Sequence, residues 1–293
     1  MTSMARIDSA NGNHNGNGGA NGSAPPHGRE RVTVVIPAKD EARNVAWVLR
    51  RLPDTVDEVI LVDGHSRDDT VAVARAVRPD VIVTMERGRG KGAAMRTGMD
   101  LATGEIIVTI DADGSMDPAE LDRYVRAARD ADLVKGSRFA ERGGSADISL
   151  VRRCGNASLR YAVNWLYGAR LTDLCYGYCA VRRSALPVLD LHCDGCEIET
   201  EMTVRALRGG LRVTEVASFE APRRYGSSHL NAVRDGIRVL RTLLRERPRP
   251  RPAWGGAAAS AEPKLVPPVG LPLRETDVDP DITSAAGTAQ WLA

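Results

Sequence analysis

The chain has 293 residues, 43% of them hydrophobic, and a formal charge of only +2. So small a net charge argues against a protein held on nucleic acid by bulk positive charge. No stretch of about 18 uncharged apolar residues occurs, so no transmembrane helix is expected.

The two ends differ in composition from the middle. Residues 1–30 are rich in Asn, Gly, Ser and Ala, and residues 248–293 in Pro, Ala and Gly. Neither stretch carries enough apolar surface to offset the entropy of ordering it, so both are read as disordered tails. Residues 31–247 remain as one folded domain of about 215 residues. The N-terminus lacks the charged-then-apolar plan of a signal peptide, which gives a cytoplasmic expectation and reduced thiols for the five cysteines.

In chain order, Arg31–Pro37 (RVTVVIP) is a buried strand, and Glu41–Arg51 has helical spacing with Val45, Val48, Leu49 and Leu52 on one side. Glu58–Val62 is a second strand and Asp68–Val77 a helix. Val81–Val83 is a third strand and Lys91–Ala102 a helix. Glu105–Ile110 is a fourth strand, Pro118–Ala128 a helix, and Asp132–Lys135 opens a fifth strand. Helices are then expected at Arg152–Tyr167, Glu197–Leu207 and Asn231–Arg245, with strands at Gly177–Arg182 and Arg212–Glu220. This alternation predicts an α/β domain with a mostly parallel sheet flanked by helices. Ligands of such sheets bind beyond the carboxyl ends of the strands. Asp40, Glu41, Asp63, Asp111 and Asp113 gather there.

The sharpest chemical signal is Asp111-Ala112-Asp113, directly after an apolar strand. Two carboxylates spaced i, i+2 at a strand end can share one Mg²⁺ or Mn²⁺ with a diphosphate, because both ions prefer oxygen ligands and keep waters. Such a cation offsets charge on a departing nucleoside diphosphate. Taken alone, Asp-x-Asp also reads as a solvated turn with an Asx cap.

The surrounding motifs decide between those readings. They are VVIPAKDE (Val34–Glu41), ILVDGHSRDDT (Ile60–Thr70), GRGKGAAMRTG (Gly88–Gly98), ATGEIIVTIDAD (Ala102–Asp113) and GSR (Gly136–Arg138). TDLCYGYCAVRR (Thr172–Arg183), EIETEMTVRA (Glu197–Ala206) and RRYGSSHL (Arg223–Leu230) follow. In this order the chain resembles family 2 glycosyltransferases of the GT-A fold, a Rossmann-like architecture, and especially the dolichol- and polyprenyl-phosphate mannose or glucose synthases. The resemblance spans residues 32–232.

The resemblance implies inverting transfer from a UDP- or GDP-sugar. Pro37, Glu41 and Asp63 would border base and ribose, and Asp111 and Asp113 would hold metal and donor. Arg138 and Arg223 are candidates for phosphate, where a guanidinium fork fits the oxygens. Lys91, in a glycine-rich segment that is not a P-loop, is a further phosphate candidate. Asp173 and the Glu197, Glu199, Glu201 cluster are expected on the acceptor side, since a hydroxyl acceptor needs a carboxylate base. Glu197 and Glu201 share a helix face and Glu199 points elsewhere; a solvated helix N-terminus is the plainer reading of the cluster.

The favoured acceptor is a polyprenyl phosphate. His229, where the family commonly has Lys, and the lack of an expected membrane anchor favour instead a hydroxyl on a polysaccharide precursor or small metabolite. A non-catalytic nucleotide-sugar-binding protein is the third reading, opposed by Asp111 and Asp113. Cys175, Cys179, His192, Cys193 and Cys196 have spacing near some zinc sites, but two of them flank a predicted strand, so buried or partly buried thiols are expected. Segment 231–249 carries an apolar stripe (Val233, Ile237, Leu240, Leu244) with Arg234, Arg238, Arg241 and Arg245 on the other sides. It is a candidate peripheral contact with the inner face of the membrane, or a capping helix with a solvated basic face.

Overall fold

The computed structural model describes residues 29–226 and 232–247. The expected tails lie outside the described residues, apart from Arg29 and Glu30. Both of these are tied to the domain, Arg29 to Asp57 and Glu30 to Arg182, each at 2.7 Å. His229 also lies outside the described residues.

Five strands run in the order the alternation predicts: β1 (Val32–Ala38), β2 (Glu58–Asp63), β3 (Ile82–Met85), β4 (Ile106–Thr109) and β5 (Leu133–Ser137). β6 (Gly144–Ser145), β7 (Cys179–Arg182), β8 (Val213–Ala217) and β9 (Phe219–Glu220) follow. The main sheet has the order β3-β2-β1-β4-β7-β5-β8. All its pairs are parallel except those of β7, which runs antiparallel between β4 and β5. Because β7 runs against its neighbours, the segment before it enters the sheet at the edge where β1, β2, β4 and β5 end.

The helices are α1 (Val45–Arg51), α2 (Thr70–Val77), α3 (Lys91–Leu101), α4 (Leu121–Ala127), α5 (Leu150–Tyr167), α6 (Leu186–Leu189), α7 (Ile198–Arg208) and α8 (Ala232–Glu246). They cover both faces of the sheet, which explains why β1 reads as a continuous apolar run. Val32, Val34 and Ile36 face one core with Val48, Leu49, Leu121 and Tyr124. Val35 faces the other, with Met95, Met99, Val163 and Met202.

Several boundaries differ from expectation for local reasons. The helix expected from Glu41 starts at Val45 because Asp40 takes φ 56° and the Glu41 carbonyl accepts both the Asn44 and Val45 N–H groups in a turn. The expected strand Arg212–Glu220 breaks at Ser218, whose N–H donates to the Ser137 carbonyl at 2.9 Å. Beyond the break, β9 pairs with β6 in a separate two-stranded sheet. α5 begins at Leu150, where the Ser149 hydroxyl accepts the Arg152 N–H, and ends at Gly168 in the left-handed region at φ 63°.

The closing helix turns a different face to the domain than its apolar stripe suggests. Val239, Thr242, Leu243 and Glu246 are buried, while Ile237, Leu240 and Leu244 stand exposed. Among the described residues no helix is long and apolar enough to cross a membrane.

Candidate active site

Asp111 follows the buried end of β4, and Asp113 lies two residues on, in a turn that Gly114 completes at φ 75°. One Asp113 oxygen accepts the Ser115 N–H at 3.0 Å and the Ser115 hydroxyl at 2.8 Å. The Asx turn is therefore real, and it fixes the carboxylate whose other oxygen lies 3.2 Å from Arg223 Nη1. The other terminal nitrogen of Arg223 binds Glu41. Glu41 also accepts from Asn44 Nδ2 at 2.6 Å. Burial raises the Glu41 pKa, with Asn44 and Arg223 pulling the other way. Arg223 thus bridges the end of β1 to the turn after β4.

On the other side, Lys91 at the start of α3 places Nζ 2.8 Å from Asp111 and 2.8 Å from Glu199 Oε1. Burial opposes the ammonium charge, but Asp111 and Glu199 outweigh it and hold the Lys91 pKa well above its ordinary value. Burial pushes the Asp111 carboxyl up, and Lys91 counters it. Gly177 lies beneath this junction: a Cβ there would sit 2.5 Å from Lys91 Nζ and 2.6 Å from Glu199 Oε1. Four carboxylates (Glu41, Asp111, Asp113, Glu199) therefore face two cations (Lys91, Arg223). Among the described residues of this cluster the acids outnumber the bases by two.

That surplus fits a divalent cation. Among the described residues no group of three or more His, Cys, Asp or Glu side chains could enclose a metal. The chain offers instead the two partly buried carboxylates of Asp111 and Asp113 just beyond the end of β4. Mg²⁺ and Mn²⁺ suit such a site, because substrate phosphate and water can supply their remaining oxygen ligands.

The model of the family described as glycosyl transferase family 2 matches residues 33–189, which include all but the first residue of β1, all of β2 to β5, both carboxylates of the Asp-x-Asp and Lys91. The chain belongs to glycosyl transferase family 2. It is 32% identical over 214 residues to an undecaprenyl-phosphate mannosyltransferase of Micrococcus luteus, covering 69% of this chain and 88% of that one. It is 32% identical over 216 residues to a polyprenol monophosphomannose synthase of Mycolicibacterium smegmatis, covering 69% and 82%. Among solved structures, glucosyl-3-phosphoglycerate synthase from Mycobacterium tuberculosis has been seen with Mn²⁺, UDP and glucosyl-3-phosphoglycerate. It superposes with a TM-score of 0.57 at 23% identity, covering 76% of this chain and 81% of that one. This likeness supports the GT-A fold of the glycosyltransferase.

The structure brings Glu41, Lys91, Asp111, Asp113, Glu199 and Arg223 together. Asp63, at the end of β2, is buried and accepts the Ser66 N–H at 3.3 Å. Pro37 stands in β1 opposite Val62, one residue before the strand end.

Arg138 and Asp173 are not presented with the others. Arg138 grips Asp173 with two bonds, from Nε at 2.7 Å and Nη2 at 3.0 Å, and reaches Glu220 at 3.0 Å and the Cys175 carbonyl at 3.1 Å. Both side chains are buried, so the expected phosphate contact and acceptor-side carboxylate are here a buried ion pair that fixes the segment before β7. Nor is the acidic start of α7 a solvated terminus. Glu201 is fully buried and accepts the His192 and Cys193 N–H groups at 3.0 and 2.7 Å. The expected buried thiols include Cys179 and Cys193; Cys154 is exposed.

Sequence reasoning missed Asn44, Ser115 and Gly177. An Asp-Gly-Ser turn signal marks Ser115 in retrospect; nothing local marks Gly177, whose neighbours come from 86 and 22 residues away, roughly the separations that only a fold reveals.

Proposed function

We propose that this glycosyltransferase moves a sugar, with inversion, from a UDP- or GDP-sugar to a polyprenyl phosphate at the cytoplasmic face of the membrane, with Mg²⁺ or Mn²⁺ at Asp111 and Asp113. The observation that supports the reading is the excess of acidic over basic groups around the strand-end carboxylates among the described residues, on a chain whose relatives include polyprenyl-phosphate mannosyltransferases. The cation, when bound, supplies Lewis-acid stabilisation to the departing diphosphate.

The chain's own groups do the rest. Pro37, Glu41 and Asp63 border the base and ribose, and the two carboxylates accept from donor hydroxyl or N–H groups. Lys91 holds Asp111 and Glu199 in place and adds positive charge beside the diphosphate. Arg223 ties Asp113 to the nucleotide side. An acceptor oxygen attacks the anomeric carbon as its bond to the diphosphate breaks on the opposite face. A phosphate acceptor is already anionic and needs no base.

Glu199 favours a second reading, in which the acceptor is a hydroxyl of a glycan precursor or small metabolite. It is a buried carboxylate of α7 held by Lys91, and a hydroxyl acceptor needs a carboxylate of this kind to take its proton. A panel of UDP- and GDP-sugars, with nucleoside diphosphate release followed with and without polyprenyl phosphate, separates the two. Release stimulated by polyprenyl phosphate supports the first reading; release stimulated only by hydroxyl acceptors replaces it with the second.

A further inference from the structure

The starts of α3 and α7 are capped by one stretch of chain. The Asp194 carbonyl accepts the Gly92 and Ala93 N–H groups at 2.8 and 3.3 Å, in the first turn of α3. The Gly195 carbonyl accepts the Ile198 N–H at 3.2 Å, and the Cys196 carbonyl accepts the Glu199 N–H at 3.4 Å, in the first turn of α7. The bend at 193–196 therefore joins the helix start that carries Lys91 to the one that carries Glu199.

The glycines of α3 admit this bend. A Cβ on Gly90 would sit 2.5 Å from the Asp194 carbonyl oxygen. One on Gly92 would strike the Cys193 carbonyl oxygen and lie 2.8 Å from the Asp194 carbonyl carbon and 2.9 Å from the Gly195 oxygen. The Gly90 N–H goes to Glu86 at 3.0 Å. A helix N-terminus of this kind can hold phosphate on its free N–H groups. Here the chain's own carbonyl and carboxylate take those groups.

Arg96 pins the bend in its seat. Its Nη1 donates to the Cys193 carbonyl at 3.0 Å and its Nη2 to Asp194 Oδ1 at 2.6 Å. The planar fork reaches both acceptors at once, which a lysine ammonium does not. From α7, Glu201 accepts the His192 and Cys193 N–H groups at 3.0 and 2.7 Å. The bend is thus anchored on α7 through Glu201 and on α3 through Arg96.

We propose that Arg96 is a positioning residue for sugar transfer, which sets the spacing of Lys91 and Glu199 by clamping the 193–196 bend onto α3. The inference rests on the placement of that pair beside the donor diphosphate. The contact it serves is the 2.8 Å approach of Lys91 Nζ to Glu199 Oε1. A donor phosphate then meets the Lys91 ammonium and not the backbone N–H groups of α3.

The test is a double-mutant cycle on the full chain, following nucleoside diphosphate release with Mn²⁺ and the most active sugar nucleotide and acceptor of a panel. Arg96→Ala is expected to lower kcat by about tenfold with donor KM within about twofold of wild type, because a small misplacement costs rate rather than ground-state binding. In a Lys91→Gln background the same change is expected to cost nothing further, since the contact it serves is gone. Asp194→Ala removes a carboxylate that is 62% exposed and keeps the capping carbonyl, so its fold is safe. It is expected to lower kcat by about threefold, the scale of an exposed ion pair, with the same coupling. Wild-type kcat in Arg96→Ala, or an equal loss with and without Lys91, overturns the proposal. So does a raised donor KM at unchanged kcat, which gives Arg96 to the donor phosphate. If Arg96→Ala does not fold, the Asp194→Ala cycle decides by the same outcomes. If wild type transfers sugar to no acceptor of the panel, the functional reading fails separately, and iodoacetamide labelling of the buried Cys193 judges the clamp. Labelling about tenfold faster in Arg96→Ala supports it through local opening of the bend, and equal rates overturn it.

Discussion

The ammonium of Lys91 stands 2.8 Å from the Asp111 carboxylate, tying the first residue of α3 to the end of β4. The same ammonium holds Glu199. Lys91→Gln removes the positive charge and leaves two acids facing each other. A fall in kcat of about a hundredfold is expected, the scale for losing one preorganised electrostatic group. Stopped-time assays of nucleoside diphosphate release check it, and unchanged kcat would place the reaction elsewhere.

Gly177 tests the same junction sterically. An added methyl meets Lys91 Nζ at 2.5 Å and Glu199 Oε1 at 2.6 Å. Gly177→Ala is expected to keep the fold while lowering turnover by about a hundredfold, because a misplacement of ångström scale suffices for that. Thermal unfolding and kcat measured together decide the point.

The Arg138 contacts give it a structural role that a substitution can test against the expected phosphate role. Its bidentate pair with Asp173 is buried, and removing one partner strands the other. Arg138→Leu is expected to cost about 3–5 kcal/mol of unfolding free energy. Arg138→Lys also loses stability, because an ammonium cannot reproduce the two-pronged contact. A folded variant of normal stability with a raised KM for donor would restore the phosphate role.

Glu120 gives the fold a pH dependence. Burial raises its pKa to about 7, opposed by Arg123 and by the Ser218 hydroxyl. The folded state thus binds this proton more tightly than the unfolded state does. Its contribution is greatest below the unfolded value near 4.5 and is lost as pH rises through about 7. Between those limits it amounts to about 3 kcal/mol at most. Urea midpoints of wild type should fall between pH 5 and pH 8, and Glu120→Gln should remove that part of the fall. Identical pH profiles for the two proteins would contradict it.

How much of this the sequence announces depends on whether the signal is local. The alternation of apolar strands and amphipathic helices reveals the sheet, and Asp111 and Asp113 are legible because they follow a buried strand at spacing i, i+2. A lone arginine reads alike whether it meets phosphate or a buried acid, and the partner of Arg138, Asp173, lies 35 residues away in the chain. The antiparallel β7 carries the same apolar signature as a parallel strand. In α8 two apolar faces compete, Val239 and Leu243 against Ile237, Leu240 and Leu244, and periodicity alone does not say which one the domain covers.

The most direct measurement is divalent-cation-dependent release of nucleoside diphosphate from the preferred sugar nucleotide in the presence of polyprenyl phosphate, by wild type and by Asp113→Ala. The account predicts release that EDTA stops, that added Mg²⁺ or Mn²⁺ restores, and that a folded Asp113→Ala protein does not show. Full turnover by a folded Asp113→Ala protein, or by wild type in EDTA, would contradict it.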